Sequence, residues 1–110
     1  GAIADAEQGS FLAVLKRFGT AGSGLLSFPM PGYTLALDLP MRHDTLALLD
    51  TLDAVVLDHG GRVYLAKDAR LAASSLPRMY PQLDAWRELR SQLDPEGLFV
   101  SALGRRLEMC

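Results

Sequence analysis

The amino-acid sequence predicts an α+β fold, in which a small antiparallel sheet is covered on one face by helices. Three patterns in the 110 residues carry this prediction. Residues 10–18 are rich in aromatic and branched side chains, and residues 33–39 alternate strictly, as strands do. Residues 44–59 repeat apolar side chains at helical spacing. A hydrophobic content of 49% is sufficient for a packed core and excludes a disordered chain.

The two predicted strands are Ser10–Phe18, ended by Gly19, and Tyr33–Leu39, ended by Pro40. Their period of two gives each strand two faces. The faces expected to meet the core carry Phe11, Ala13 and Leu15, then Tyr33, Leu35, Leu37 and Leu39. The opposite faces carry Leu12, Val14, Lys16 and Phe18, then Thr34, Ala36 and Asp38. Because these opposite faces are chemically mixed, they suit contact with a ligand, another domain or water.

The predicted helices follow the strands. One helix begins behind the N-cap Asp44 and ends at Gly60-Gly61. A short strand at 62–65 and a second helical stretch at about 69–75 come next, and a third helix begins at about Gln82, behind Pro81. Residues 94–97 have the chemistry of a type I turn, and 98–107 form a closing segment that is extended or helical.

The pattern of the first residues predicts that the chain is part of a longer protein. Residues 3–8 have the pattern of a helix tail, which Gly9 closes. A native domain rarely opens on the last two turns of a helix. We therefore expect residues 1–110 to be a single domain cut from the C-terminal part of a longer protein.

Composition excludes several functional classes. A net charge of −2 without a basic block argues against a nucleic-acid partner, and no apolar run is long enough for a membrane span. No signal peptide is visible, so we expect a cytoplasmic or cell-envelope-associated protein. The lone Cys110 permits neither an internal disulfide nor a cysteine metal site. His43 and His59 lie at predicted helix ends, where capping is the better interpretation, and we predict no metal site.

Lys67 is the candidate catalytic residue, because it and Tyr64 flank the end of the predicted short strand beside Asp68. A lysine held there would present a fixed positive charge to an anionic intermediate or a reduced cofactor. A solvated surface lysine is the alternative reading of the same spacing.

Six stretches in one order carry a resemblance to a known family. They are 11–19, 26–33, 60–68, Met79-Tyr80-Pro81, Asp84-Ala85-Trp86, and the closing group of Asp94-Pro95, Ser101 and Arg105-Arg106-Leu107. In these stretches the sequence resembles the C-terminal region of flavin-dependent oxidases of the vanillyl-alcohol oxidase type. Within that type it is most similar to the branch that acts on a lipid-linked ribose. The resemblance extends over nearly the whole chain.

The resemblance implies a part of the substrate-binding or cap region of a flavoenzyme, with an N-terminal FAD-binding domain that these residues do not include. It implies hydride transfer from a sugar or polyol carbon to FAD, giving a ketone, and in the lipid-linked branch a step towards cell-wall arabinan. By position, Lys67 matches the family's active-site lysine beside flavin and substrate, and Tyr64 matches a flavin contact. Positions that match the substrate pocket are Val14, Lys16, Phe18, Thr34 and Ala36.

The sequence departs from the mycobacterial form of that branch at three matching positions. Thr34 and Ala36 stand where the mycobacterial form has asparagine and cysteine, and Tyr33 replaces a tryptophan. Because nitroaromatic inhibitors attack that cysteine, we expect no such covalent capture at Ala36. The departures leave open which substrate is oxidised.

Three readings remain at this point. The first is the FAD-dependent sugar or polyol oxidoreductase, with a polyprenyl-phosphate sugar or a polyol as substrate. The second is the same family acting on an alditol or aldonolactone, and the third is a non-catalytic α+β binding module. Under the first reading, residues 1–110 alone are expected to be inactive, and their exposed strand face is expected to favour self-association.

Overall fold

The computed structural model describes residues 1–7 and 9–110. Within this part of the chain, two strands and five helices confirm the predicted α+β class. The strands are β1 (Ala13–Phe18) and β2 (Gly32–Leu37). The helices are α1 (Ala2–Asp5), α2 (Thr45–Asp58), α3 (Leu76–Met79), α4 (Leu83–Leu93) and α5 (Ala102–Arg106). Short 3₁₀ turns span Leu65–Lys67 and Ala73–Ser75.

The hydrophobic core lies among α3, α4, α5 and the segment that precedes them. Its buried members are Leu71, Leu76, Met79, Tyr80, Leu83, Leu107 and Met109. Val56 and Leu57 of α2 pack against this cluster. The phenol of Tyr80 donates a hydrogen bond to the Val63 carbonyl at 2.7 Å, and burial raises the pKa of Tyr80 to about 12. The core therefore holds its buried phenol in the neutral, donating form.

Strands β1 and β2 form an antiparallel ladder that runs from the pair Ala13–Leu37 to the pair Phe18–Gly32. The ladder begins and ends close to the predicted strands. The prediction that one strand face meets the core is wrong: Phe11 is 93% exposed and Tyr33 is 71% exposed. Alternation determines which side chains share a face, but not whether anything covers that face. Here the core forms among helices and loops instead.

The predicted strand at 62–65 is also wrong, and Val63 gives the physical reason. Its carbonyl accepts from the Tyr80 hydroxyl, and its N–H points to the Met79 sulfur at 3.4 Å. Both backbone groups are thus engaged by side chains, and a strand ladder needs them free. Tyr64 keeps an extended backbone, after which the chain enters the 3₁₀ turn Leu65–Lys67.

The predicted helix at about 69–75 is replaced by the second 3₁₀ turn, Ala73–Ser75, and by α3. The Leu71 carbonyl accepts from Arg106, and the Ser75 N–H donates to the Ala72 carbonyl, so the bond from Ser75 to Leu71 that an α-helix requires is not made. Pro77 then lies in the first turn of α3, where its lack of an N–H costs nothing.

The other helices and the turn confirm the sequence prediction within a residue or two. Asp44 is the N-cap of α2, and α4 begins directly after Gln82. The turn at 94–97 closes with the Gly97 N–H on the Asp94 carbonyl at 3.1 Å, and Gly97 has a φ of +64°. The predicted helix tail at 3–8 ends earlier, at Asp5, and Gln8 lies outside the described residues.

No helix of the described part of the chain combines the length and apolarity that a membrane crossing requires.

Candidate functional site

The ladder places the predicted substrate contacts on one face of the hairpin. Val14 lies opposite Ala36, and Lys16 lies opposite Thr34. Phe18 extends the same face, because it follows Lys16 by two residues. Opposed side chains in such a ladder have Cβ atoms about 5 Å apart, so Lys16 and Thr34 can act on one ligand group. The shared face is confirmed, while the substrate role of these five residues stays a prediction.

A row of three aromatic rings connects this face to Tyr64. The Phe18 and Phe28 rings meet edge to face, with centroids 5.8 Å apart. The Phe28 and Tyr64 rings are tilted, with centroids 5.0 Å apart. Both separations are typical of favourable aromatic pairs. The row brings the predicted flavin contact, Tyr64, to the side of the hairpin that carries the predicted substrate contacts.

Tyr64 and Lys67 belong to one tight turn. The Lys67 N–H donates to the Tyr64 carbonyl at 3.2 Å, which closes the first 3₁₀ turn. Tyr64 precedes the turn with an extended backbone and Lys67 is its last residue, so the two residues belong to one short segment. Tyr64 is 47% exposed and Lys67 is exposed. This segment thus carries a half-exposed ring and an exposed lysine three residues apart.

Asp68 fixes the end of this turn, a role that sequence reasoning missed. Its carboxylate is 3% exposed and pairs with Arg106 of α5, as well as accepting the two backbone N–H groups of Arg70 and Leu71. Burial alone would raise the pKa of Asp68, but these hydrogen bonds hold that pKa below its ordinary value. Arg106 also donates to the Leu71 carbonyl at 2.6 Å. The sequence contained one signal for this role: Arg106, the partner of Asp68, belongs to the closing Arg105-Arg106-Leu107 motif.

The two lysines of the sequence are both candidate site residues, Lys16 and Lys67. Within residues 1–7 and 9–110, neither ammonium group has an ion pair or a hydrogen bond. By contrast, Arg62, Arg70 and Arg106 each bind acceptors on other elements. The site therefore carries two positive charges that are available to an anionic ligand.

Features away from this site do not contribute to it. A groove of about 710 Å³ between α4 and α5 is lined by Trp86, Leu93 and Phe99, among others, and contains none of the predicted site residues.

His59 is the C-cap of α2, and its Nδ1 lies 2.8 Å from the Val55 carbonyl, so its predicted capping role is confirmed. Across the described ranges, no group of three His, Cys, Asp or Glu side chains has a metal-binding arrangement.

Comparison with known proteins identifies the class. The family model described as D-arabinono-1,4-lactone oxidase matches residues 36–107, which include Ala36, the Tyr64–Lys67 turn and the Asp68–Arg106 pair. The chain belongs to the D-arabinono-1,4-lactone oxidase family.

Two curated relatives give finer comparisons. Decaprenylphosphoryl-beta-D-ribose oxidase of Mycolicibacterium smegmatis is 42% identical over 100 residues, which cover 91% of this chain and 22% of the relative. An uncharacterized protein encoded in the mprA 5′ region of Streptomyces coelicolor is 49% identical over 106 residues, covering 96% of this chain and 29% of that protein. The chain thus spans less than a third of either relative. The resemblance predicted from the sequence motifs is confirmed.

Proposed function

We propose that the complete protein is an FAD-dependent oxidoreductase that oxidises a sugar or polyol hydroxyl to a ketone, with a polyprenyl-phosphate-linked ribose as its substrate. The aromatic row from Phe18 through Phe28 to Tyr64 is the observation that carries the proposal, because it joins the substrate face to the Lys67 turn. Family membership and the 42% identical ribose oxidase support the same reaction class.

The residues of the turn fit a flavin. Tyr64 is half exposed and contacts Phe28, which leaves a flat apolar surface that a ring system can use. Lys67, three residues further along the chain, adds an exposed ammonium group. A ring contact and a nearby cation are the groups that bind a heteroaromatic cofactor and tune its electronics. When bound, FAD would supply the acceptor for the hydride of the substrate carbon, the substrate hydroxyl would release its proton, and an external acceptor would take up the electrons.

The chain's own residues then have separate tasks. Lys67 offsets negative charge that develops during oxidation or orients the reacting hydroxyl, and preorganised charge of this kind is often the largest catalytic contribution. The Asp68–Arg106 pair holds the turn in place, so its role is positioning. Val14, Phe18 and Ala36 supply apolar surface against the sugar face.

The position of Lys16 favours a phosphate-linked sugar as the substrate. Lys16 lies opposite Thr34 in the ladder, and its ammonium group has no partner among residues 1–7 and 9–110. A lysine ammonium beside a hydroxyl donor suits a phosphate ester, since both groups donate to phosphate oxygens. A polyprenyl-phosphate sugar provides such a phosphate, whereas a free polyol does not.

A lactone or alditol is the second candidate substrate, and the family description favours it. The family is named for an oxidase of an aldonolactone. Ala36 is also smaller than the cysteine that the resemblance leads us to expect there, and Thr34 has a hydroxyl where an asparagine amide is expected. A free lactone or alditol would use Thr34 and leave Lys16 without a phosphate.

We further propose that residues 1–110 belong to the substrate-binding region and that the FAD-binding domain lies elsewhere in the complete protein. The supporting fact is that the chain spans 22% of the ribose oxidase. Residues 1–110 alone would then bind FAD poorly and be inactive. Their exposed apolar side chains, such as Phe11 and Tyr33, would promote self-association, which size-exclusion chromatography with light scattering would detect.

The test uses the complete protein and three substrates. The purified protein is expected to show flavin absorption bands, and decaprenylphosphoryl-ribose should bleach them anaerobically faster than xylitol or D-arabinono-1,4-lactone does. Fastest bleaching by the lactone or by xylitol would establish the second candidate instead. A colourless protein that cannot be loaded with FAD would overturn both and leave a non-catalytic binding module.

A further inference from the structure

Phe28 lies between the two halves of the proposed site, yet no regular element holds it. Its ring contacts Phe18 of β1 on one side and Tyr64 on the other. It belongs to the connection 19–31, which has no helix or strand. The position of the ring therefore depends on whatever anchors this connection.

Arg62 provides such an anchor. Its Nη1 donates to the Ser27 carbonyl at 2.9 Å, which fixes the residue next to Phe28. Its guanidinium also lies over the Tyr80 ring, 5.1 Å from the centroid. Tyr80 in turn binds the Val63 carbonyl, next to Tyr64. The Arg62 guanidinium thus binds Ser27, which precedes Phe28, and stacks on Tyr80, which binds the residue before Tyr64. It therefore links the backbone on both sides of the Phe28–Tyr64 contact.

The geometry requires arginine. Stacking on Tyr80 while donating to Ser27 uses a planar group with several donors, which a lysine ammonium lacks. Arg62 also carries a cost, because its Nε is buried and has no hydrogen-bond partner among the described residues. Burying an unsatisfied donor is unfavourable. An apolar side chain could fill this space without that cost, so the presence of arginine here calls for a further role.

We propose that Arg62 is a positioning residue for the oxidation and that it acts through Phe28, which separates the substrate face from the flavin-side turn. The inference rests on the proposed function. Without Arg62, Ser27 is released and the Phe28 ring no longer fixes Tyr64 relative to Phe18. Misplacement of about 1 Å between reacting groups can slow a reaction by roughly 10²-fold, so even a partial shift is measurable.

The experiment is a double-mutant cycle in the complete, flavin-loaded protein. The variants are Arg62→Gln, Phe28→Leu and the two combined, with Arg62→Lys as the milder change. Arg87→Gln is the matched control, because Arg87 also donates to a distant backbone carbonyl, that of Glu108 at 2.7 Å, and has no contact with the aromatic row. Each variant is measured for flavin content, thermal midpoint, the absorption spectrum of its resting flavin and the anaerobic rate of flavin reduction.

Arg62→Gln and Phe28→Leu are each expected to slow flavin reduction by about tenfold or more, and the combined variant to be no slower than the worse single one, because both act on the same contact. The two single variants should also share one resting-flavin difference spectrum against wild type. Arg87→Gln should keep the wild-type rate and spectrum despite any loss of thermal stability. Should Arg62→Gln fail to fold, Arg62→Lys is expected to show the same spectral change with a smaller loss of rate.

Two results would overturn the inference alone: wild-type rates and spectra in both Arg62 variants, or effects of Arg62→Gln and Phe28→Leu that multiply. A wild-type protein that takes up no flavin would overturn the proposed function and, with it, the inference. The two failures are therefore distinguishable.

Discussion

Asp68 and Arg106, thirty-eight residues apart, form a largely buried ion pair that joins the Lys67 turn to α5. The carboxylate is 3% exposed and the arginine side chain 31% exposed. Two backbone N–H groups also donate to this carboxylate, and Arg106 donates to the Leu71 carbonyl. Together with the ion pair, these contacts hold the stretch directly after Lys67 at four points.

Loss of Arg106 is expected to destabilise the protein. Replacing it with leucine leaves the Asp68 carboxylate buried without its cation, and removing one partner of a buried pair costs about 3 kcal/mol. Thermal unfolding of the complete protein would measure the change. Arg105→Leu, an exposed neighbour on the same helix, is the control and should have little effect. Equal thermal midpoints for both variants would contradict the prediction.

Stability should depend on pH through Asp68. Its pKa in the folded protein lies below the ordinary 3.8, so its ionised form contributes stability that is complete above that value and is lost as the pH falls through the folded pKa. The difference in thermal midpoint between wild type and Asp68→Asn should therefore be full at about pH 5 and shrink towards about pH 2. A difference that stayed constant over this range would argue against an ionised Asp68.

Lys67→Ala should greatly lower turnover while the fold stays intact. Removing one preorganised electrostatic group from an active site costs roughly 10²-fold or more in kcat. Stopped-flow flavin reduction with the complete protein would measure this. Arg78→Ala, which removes another exposed cation, is the control and should react like wild type. Near-normal flavin reduction in the Lys67 variant would refute the catalytic role.

Lys16 and Arg17 give a matched test of substrate preference, because they are neighbours on β1 that point to opposite faces. Lys16→Met should raise KM for the phosphate-linked sugar by about tenfold or more, which is the usual value of a charged hydrogen bond. It should leave KM for xylitol unchanged, and Arg17→Met should change neither. A uniform rise for both substrates would indicate that Lys16 does not bind phosphate.

The sequence predicted those features that depend on local pattern. The alternation at 33–39 identified β2 and, with β1, the face that Val14, Lys16 and Ala36 share. The spacing behind Asp44 identified α2, and the proline and glycine of 94–97 identified the turn. These outcomes follow from propensities and periodicities that act within a few residues.

Contacts between distant residues explain what the sequence did not predict. Val63 does not form a strand because its backbone groups bind Met79 and Tyr80, sixteen and seventeen residues away. The stretch at 69–75 does not form an α-helix, because the Leu71 carbonyl accepts from Arg106, thirty-five residues away, and not from the Ser75 N–H. Arg62 and Phe28 were missed as site residues for the same reason, since their importance depends on Ser27 and Tyr64 lying beside them.

The placement of both lysines in the site has a practical consequence. This stretch of sequence has no other primary-amine side chain, because its remaining cations are arginines. Reagents that acylate amines would therefore modify Lys16 and Lys67 and spare the arginines. Peptide mapping after brief acylation, with and without bound ligand, becomes a footprint of site occupancy that requires no catalytic assay.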